Sequence, residues 1–180
     1  METLKQAITT LHGQYRIPHI VVTSMSLPSS GAEPSLFVLG STITSTSKSR
    51  IFDVKIPQLD CFFSGTGDMF ASLMLVRFRE AVSEEEHLLN KASWISLDEV
   101  VATELPLARA VEKVLASMHE VLTSTKEKRD HVLLKYDNMP RSDENEKKRR
   151  LVACKAAEVG IIRNRRYLEN PTAKFKAEKV

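Results

Sequence analysis

Apolar residues recur every three or four positions at Leu4, Ala7, Ile8 and Leu11, which predicts an amphipathic helix that stops near Gly13. The period then changes. His19-Ile20-Val21-Val22-Thr23 is a short β-branched run that reads as a buried strand. Pro28 and Pro34 bracket Ser29-Ser30-Gly31, a cluster of turn formers that predicts a loop. Ser35-Leu36-Phe37-Val38-Leu39-Gly40 reads as a second strand, and the polar residues 41–49 as another loop. In Arg50-Ile51-Phe52-Asp53-Val54-Lys55-Ile56 the apolar side chains of Phe52, Val54 and Ile56 share one face, so a third strand is expected, ended by Pro57.

Helical signals dominate the rest. Residues 69–76, from Met69 to Val76, are apolar nearly all round, which predicts a helix buried in the interior. Residues 83–105 are acidic and irregular around Trp94. From Leu107 the spacing of Val111, Val114, Leu115, Met118, Val121 and Leu122 predicts an amphipathic helix of several turns. Residues 137–150 form a charge-dense connector, residues 151–164 suit a final helix, and residues 172–177 alternate like an edge strand. No internal repeat is visible. Strands and helices mix throughout, which predicts an α/β domain over residues 1–180 without naming a function.

Composition narrows the classes. The 180 residues are 42% hydrophobic and 27% charged, the balance of a globular domain with a real core. A net charge of +3 does not call for nucleic acid, and the basic residues gather late in the chain. Lys147-Lys148-Arg149-Arg150 and Arg163, Arg165 and Arg166 lie beside Asp143, Glu144 and Glu146, without an aromatic platform, and read as a solvated helix face. Cys61 and Cys154 show no metal-ligand spacing and read as reduced core thiols. The five histidines lack ligand spacing too, so no structural metal is expected; His119, on an apolar helix face, reads as a packing residue. No apolar run reaches the length of a membrane span, and the amino terminus has no secretory signal. The cytosol is the expected compartment, with the nucleus as an alternative.

The chemistry concentrates at Gly65-Thr66-Gly67-Asp68, just before the apolar helix. Glycines let successive backbone N–H groups converge on one point. A helix N-terminus adds unbonded N–H groups and the positive end of its dipole, so an anion such as phosphate is favoured there. A carboxylate placed there is suited to orient an alcohol and take its proton. Taken alone, the same four residues are more often an ordinary turn capped by Asp.

A wider match separates the two. Phe63-Ser64-Gly65-Thr66-Gly67-Asp68-Met69-Phe70-Ala71 resembles the signature of pyridoxal kinases, in the ribokinase-like superfamily. Ile20-Val21-Val22-Thr23-Ser24, then Leu27-Pro28, then Leu36-Phe37-Val38-Leu39-Gly40-Ser41 are similar to that family's strand, ATP loop and strand. Glu112-Lys113, Met118-His119-Glu120-Val121-Leu122 and the stretch from Ile161-Ile162-Arg163 to Glu169-Asn170-Pro171 resemble its later segments, with weaker likeness over residues 83–105 and 123–150. Phe62-Phe63 stands where sugar kinases of the superfamily carry Asp-Thr, and Thr66 where they carry Ala. Hydroxymethylpyrimidine kinases, the nearest alternative, commonly place Cys where this chain has Asp68.

The resemblance implies a ribokinase-like three-layer fold, present here as its carboxyl-terminal, ATP-binding portion with the amino-terminal half missing. It implies ATP-dependent phosphorylation of the 5′-hydroxyl of pyridoxal, pyridoxine or pyridoxamine, with Asp68 as base and substrate contact. Gly65, Thr66 and Gly67 would form the anion hole, and Thr23, Ser24, Leu59 and Leu122 would contact ATP. The same resemblance implies Mg²⁺ held mainly by the missing half, a monovalent cation, and a homodimer. A chain without that half is expected to be a poor catalyst. The alternative is a non-catalytic remnant that pairs with a full-length subunit.

Overall fold

The computed structural model describes residues 2–26, 34–137, 139–140 and 142–180; the loop expected between Pro28 and Pro34, and the Leu27-Pro28 part of the family likeness, lie outside them. The elements run α1 (Glu2–Tyr15), β1 (His19–Ser26), β2 (Ser35–Ile43), β3 (Ser49–Pro57), α2 (Thr66–Ser83), α3 (Glu86–Leu89), α4 (Pro106–Asp137), α5 (Asp143–Ala156), α6 (Arg165–Glu169) and β4 (Ala177–Lys179). They divide into two compact units. The first comprises Met1–Gln58, Met74–Leu115 and Lys174–Val180; the second comprises Leu59–Leu73 and Ala116–Ala173.

The first unit is built on a four-stranded sheet in the order β1-β2-β3-β4, with every neighbouring pair antiparallel. The alternation expected of the third strand is realised: Phe52 and Val54 are fully buried. Opposite Phe52 in the register is Gly40, and a Cβ there would lie 2.0 Å from the ring's Cζ, so the aromatic ring occupies the room that glycine leaves. β2 runs three residues further than its apolar run suggests. Ser41 and Thr42, expected in a loop, are buried because histidines satisfy them: His12 Nε2 lies 2.8 Å from the Ser41 hydroxyl, and His19 Nδ1 lies 2.9 Å from that of Thr42. Hydroxyls with buried partners belong in a strand as readily as apolar side chains do.

The irregular residues 83–105 are pinned to this sheet by one guanidinium. Arg50 donates to the carbonyls of Leu97 (2.7 Å), Val100 (3.1 Å), Ser96 (3.2 Å) and Ile43 (2.9 Å). Trp94 sets its edge against the ring of Phe78 at 5.6 Å, a packing role that its surroundings in sequence did not disclose. Pro106 opens α4 at the position where a missing N–H costs nothing.

Further expectations change in the structure. The helix around residues 69–76 is not enclosed. Met69, Ala81 and Val82 are buried, but Leu75 is 76% and Val76 53% exposed, so α2 packs by one stripe and leaves an apolar face bare. The helix expected over residues 151–164 starts earlier, inside the charge-dense stretch. Ser142 caps it by accepting from the Asn145 N–H at 3.2 Å, and Asp143, Glu144 and Glu146 line the positive first turn. It ends at Ala156, because the next residues pair with a distant strand-like segment. The terminal strand lies at 177–179 rather than 172–177, with Glu112 taking the Ala177 N–H at 2.8 Å as the chain enters it.

Candidate functional site

The glycine turn lies in the second unit. Gly65 has φ of +88°, a conformation that side chains with a Cβ resist, and its carbonyl accepts the Met69 N–H at 3.2 Å as the first bond of α2. Thr66, Gly67 and Asp68 are therefore the first helical residues, and their N–H groups have no partner inside the helix. At Gly67 an added Cβ would meet nothing within 4 Å, so packing does not demand glycine there; its absence of side chain keeps the approach to these amides clear.

A remote segment fixes the turn. The Ser64 N–H donates to the Ala157 carbonyl at 3.1 Å and the Val159 N–H donates to the Ser64 carbonyl at 3.1 Å, a parallel bridge between Ser64 and Glu158. The result is a hollow of about 300 Å³, with Gly65, Asp68 and Ser72 on the α2 side and Glu158, Val159, Ile161 and Leu168 on the other. That volume is at the lower end for small-molecule sites. Asp68 is exposed at this hollow rather than buried in the fold.

The other predicted residues are distributed as follows. Leu59 and Leu122, both half-buried, are in the second unit with the glycine turn. Thr23 and Ser24 are in the first unit, exposed on β1 at a bulge between Val22 and Met25, where Ser24 takes φ of +60°. They therefore sit inside a strand and not beyond its end. His119 is half-buried on α4, and burial holds its ring below the ordinary histidine value. Cys61 precedes the turn and is half-buried, and burial pushes its thiol above the usual value, against the pull of Arg129 and Lys126; Cys154 is exposed, so the two are not the core thiols expected. Among the described residues no three His, Cys, Asp or Glu side chains are grouped to hold a metal ion. No helix among them is long and apolar enough to cross a membrane.

Glu158, Val159, Ile161 and Leu168 were not read from the sequence as part of the site. They are far from the glycine turn in the chain, and only the late family likeness around Ile161 hinted at them.

Comparison with known proteins gives sequence relatives and fold neighbours. No family profile matches the chain. Two Schizosaccharomyces pombe proteins provisionally named pyridoxal kinases do: one is 31% identical over 176 residues, covering 97% of this chain and 47% of that protein. The other is 31% identical over 125 residues, 69% of this chain and 35% of that protein. Among solved structures, the Leishmania donovani pyridoxal kinase in complex with ADP superposes with a TM-score of 0.59 at 15% identity, over all of this chain and 45% of the kinase. Plasmodium falciparum PdxK with AMP-PNP and PL gives 0.52 at 17% identity, over 98% of this chain and 42% of that one. The fold is thus α/β and ribokinase-like, with an antiparallel four-stranded sheet. Within that class the chain is similar to the two proteins named as pyridoxal kinases, and it spans under half the length of the relatives it matches.

Proposed function

We propose that this chain carries the phosphoryl-transfer end of an ATP-dependent pyridoxal kinase acting on the 5′-hydroxyl of pyridoxal, pyridoxine or pyridoxamine. One observation supports the reading: Gly65, just before the unbonded amides that open α2, and Asp68, within its first turn, line the same small hollow. Phosphoryl transfer asks for positioning and charge stabilisation rather than a covalent intermediate. The N–H groups of Gly65, Thr66 and Gly67 take up negative charge on the γ-phosphoryl group, with the Thr66 hydroxyl in support. Asp68 accepts the hydrogen bond of the alcohol. As the alcohol oxygen bonds to phosphorus and the bond to the ADP oxygen breaks, the proton passes to Asp68.

Of the nucleotide contacts that the resemblance implies, Leu59 and Leu122 lie in the unit of the glycine turn and Thr23 and Ser24 in the other. Mg²⁺ suits a site of this kind when the nucleotide's phosphates and water supply most of its ligands and one or two carboxylates complete them. The ion would neutralise charge on the phosphates. The reading places the chain in the cytosol, where the free thiols of Cys61 and Cys154 remain reduced.

A second reading, a non-catalytic subunit that pairs with a longer copy, is favoured by the exposed Leu75 and Val76 and by Phe62, 82% exposed. An ATP-dependent assay with pyridoxal separates the two. Product from the wild-type chain, with turnover reduced by about 10²-fold or more in Asp68→Asn, supports the kinase. A folded, ATP-binding sample that forms no product supports the pairing subunit.

A further inference from the structure

The second unit contains a larger hollow that the phosphoryl-transfer reading does not use. It lies among α4, α5 and the segment following α5, and measures about 780 Å³. Val132, Val152 and Ile161 give it apolar walls. Lys128, Lys155 and Arg163 line it from three different elements, and Glu158 is the one acid among its lining residues, leaving an excess of two positive charges. Among the described residues none of these three cations takes part in an ion pair, although Lys126, Lys148, Arg149 and Arg165 nearby all do.

One wall is preformed. Asn164 is only 7% exposed and donates through Nδ2 to the Gly160 carbonyl at 2.9 Å. The Thr125 hydroxyl accepts the Gly160 N–H at 3.4 Å and donates to the Val121 carbonyl at 2.7 Å. A Cβ at Gly160 would come within 3.3 Å of that Asn164 nitrogen, a tight approach that glycine relieves. A buried amide and a buried hydroxyl thus hold this side of the hollow in shape before anything enters.

We propose that this hollow binds a small phosphate monoester with an apolar or aromatic body. The dianionic head matches the charge excess at Lys128, Lys155 and Arg163, and the body lies against the valine and isoleucine walls. Glu158, Val159 and Ile161 also line the hollow at Asp68, so an occupant here touches the segment that holds the glycine turn. The inference does not depend on the kinase reading.

Phenyl phosphate is the probe, titrated into the ¹⁵N-labelled full chain, with phenol and inorganic phosphate as separate controls. Saturable binding is expected, with amide shifts at Gly160 and Asn164 and with both controls at least tenfold weaker. Lys128→Gln/Lys155→Gln/Arg163→Gln, all exposed positions, should retain the fold by circular dichroism and bind phenyl phosphate at least tenfold more weakly. Asp68→Asn should bind it as well as wild type. Unchanged affinity in the triple variant, no saturable binding, or shifts confined to Thr66–Asp68 would each overturn the proposal.

Discussion

Ser64 and Glu158 are joined by a two-bond parallel bridge, and through it a segment late in the chain sets the glycine turn that opens α2. The turn is not held by local sequence alone. Gly65 at φ +88° and the bridge residue before it set the turn at the edge of one hollow, which Ser64, Gly65 and Asp68 line.

The two glycines of that turn should respond oppositely to alanine. Gly65→Ala forces a Cβ into a left-handed conformation and should destabilise the chain by roughly 1–2 kcal/mol. Gly67→Ala meets no neighbour and removes backbone freedom from the unfolded chain, so stability should stay level or rise by up to about 1 kcal/mol. Yet the methyl stands in the approach to the amides, and ATP affinity should fall by about tenfold, or ~1.4 kcal/mol. Thermal melts and ATP titration of both variants check the contrast.

Gly40→Ala tests the sheet. Its Cβ would overlap the ring of the fully buried Phe52, and overpacking of this kind costs about 1–3 kcal/mol. The melting temperature should drop clearly, and Gly40→Ala/Phe52→Leu should be less destabilised than the sum of its two single variants.

A pH dependence follows from His19. Burial depresses its ring below the ordinary value of 6.5, with His12 and Arg50 adding repulsion and the Ser93 carbonyl, 2.7 Å from Nε2, opposing them. The unfolded chain therefore binds the proton more readily than the folded one. The stability from neutral His19 is complete above about pH 6.5 and is lost as pH falls from there through the lower folded value. Between pH 7.5 and 5.0 the wild-type melting temperature should fall more than that of His19→Gln, and equal slopes would assign the pH dependence to other groups.

Much of this was legible in sequence where a short-range rule applied. The 3.6-residue spacing from Leu4 to Leu11 gave α1, and the alternation of Phe52 and Val54 gave the buried face of β3. The turn itself was legible because a glycine such as Gly65, at φ +88°, marks where the chain must bend before a helix. What failed depended on distant partners. The burial of Ser41 and Thr42 rests on two histidines, the early end of α5 on pairing with Ser64, and the second wall of the Asp68 hollow on the same bridge. The apolar run of α2 was read correctly as a helix, but hydrophobicity does not say whether a face is covered by its own chain.

The central claim is that the amides opening α2 receive a phosphoryl group beside Asp68, and nuclear magnetic resonance of the ¹⁵N-labelled chain titrated with Mg²⁺-ATP tests it directly. The expected result is a saturable shift of the Thr66, Gly67 and Asp68 amides, weakened in Gly67→Ala. Saturation by ATP with those three amides unmoved would contradict the account.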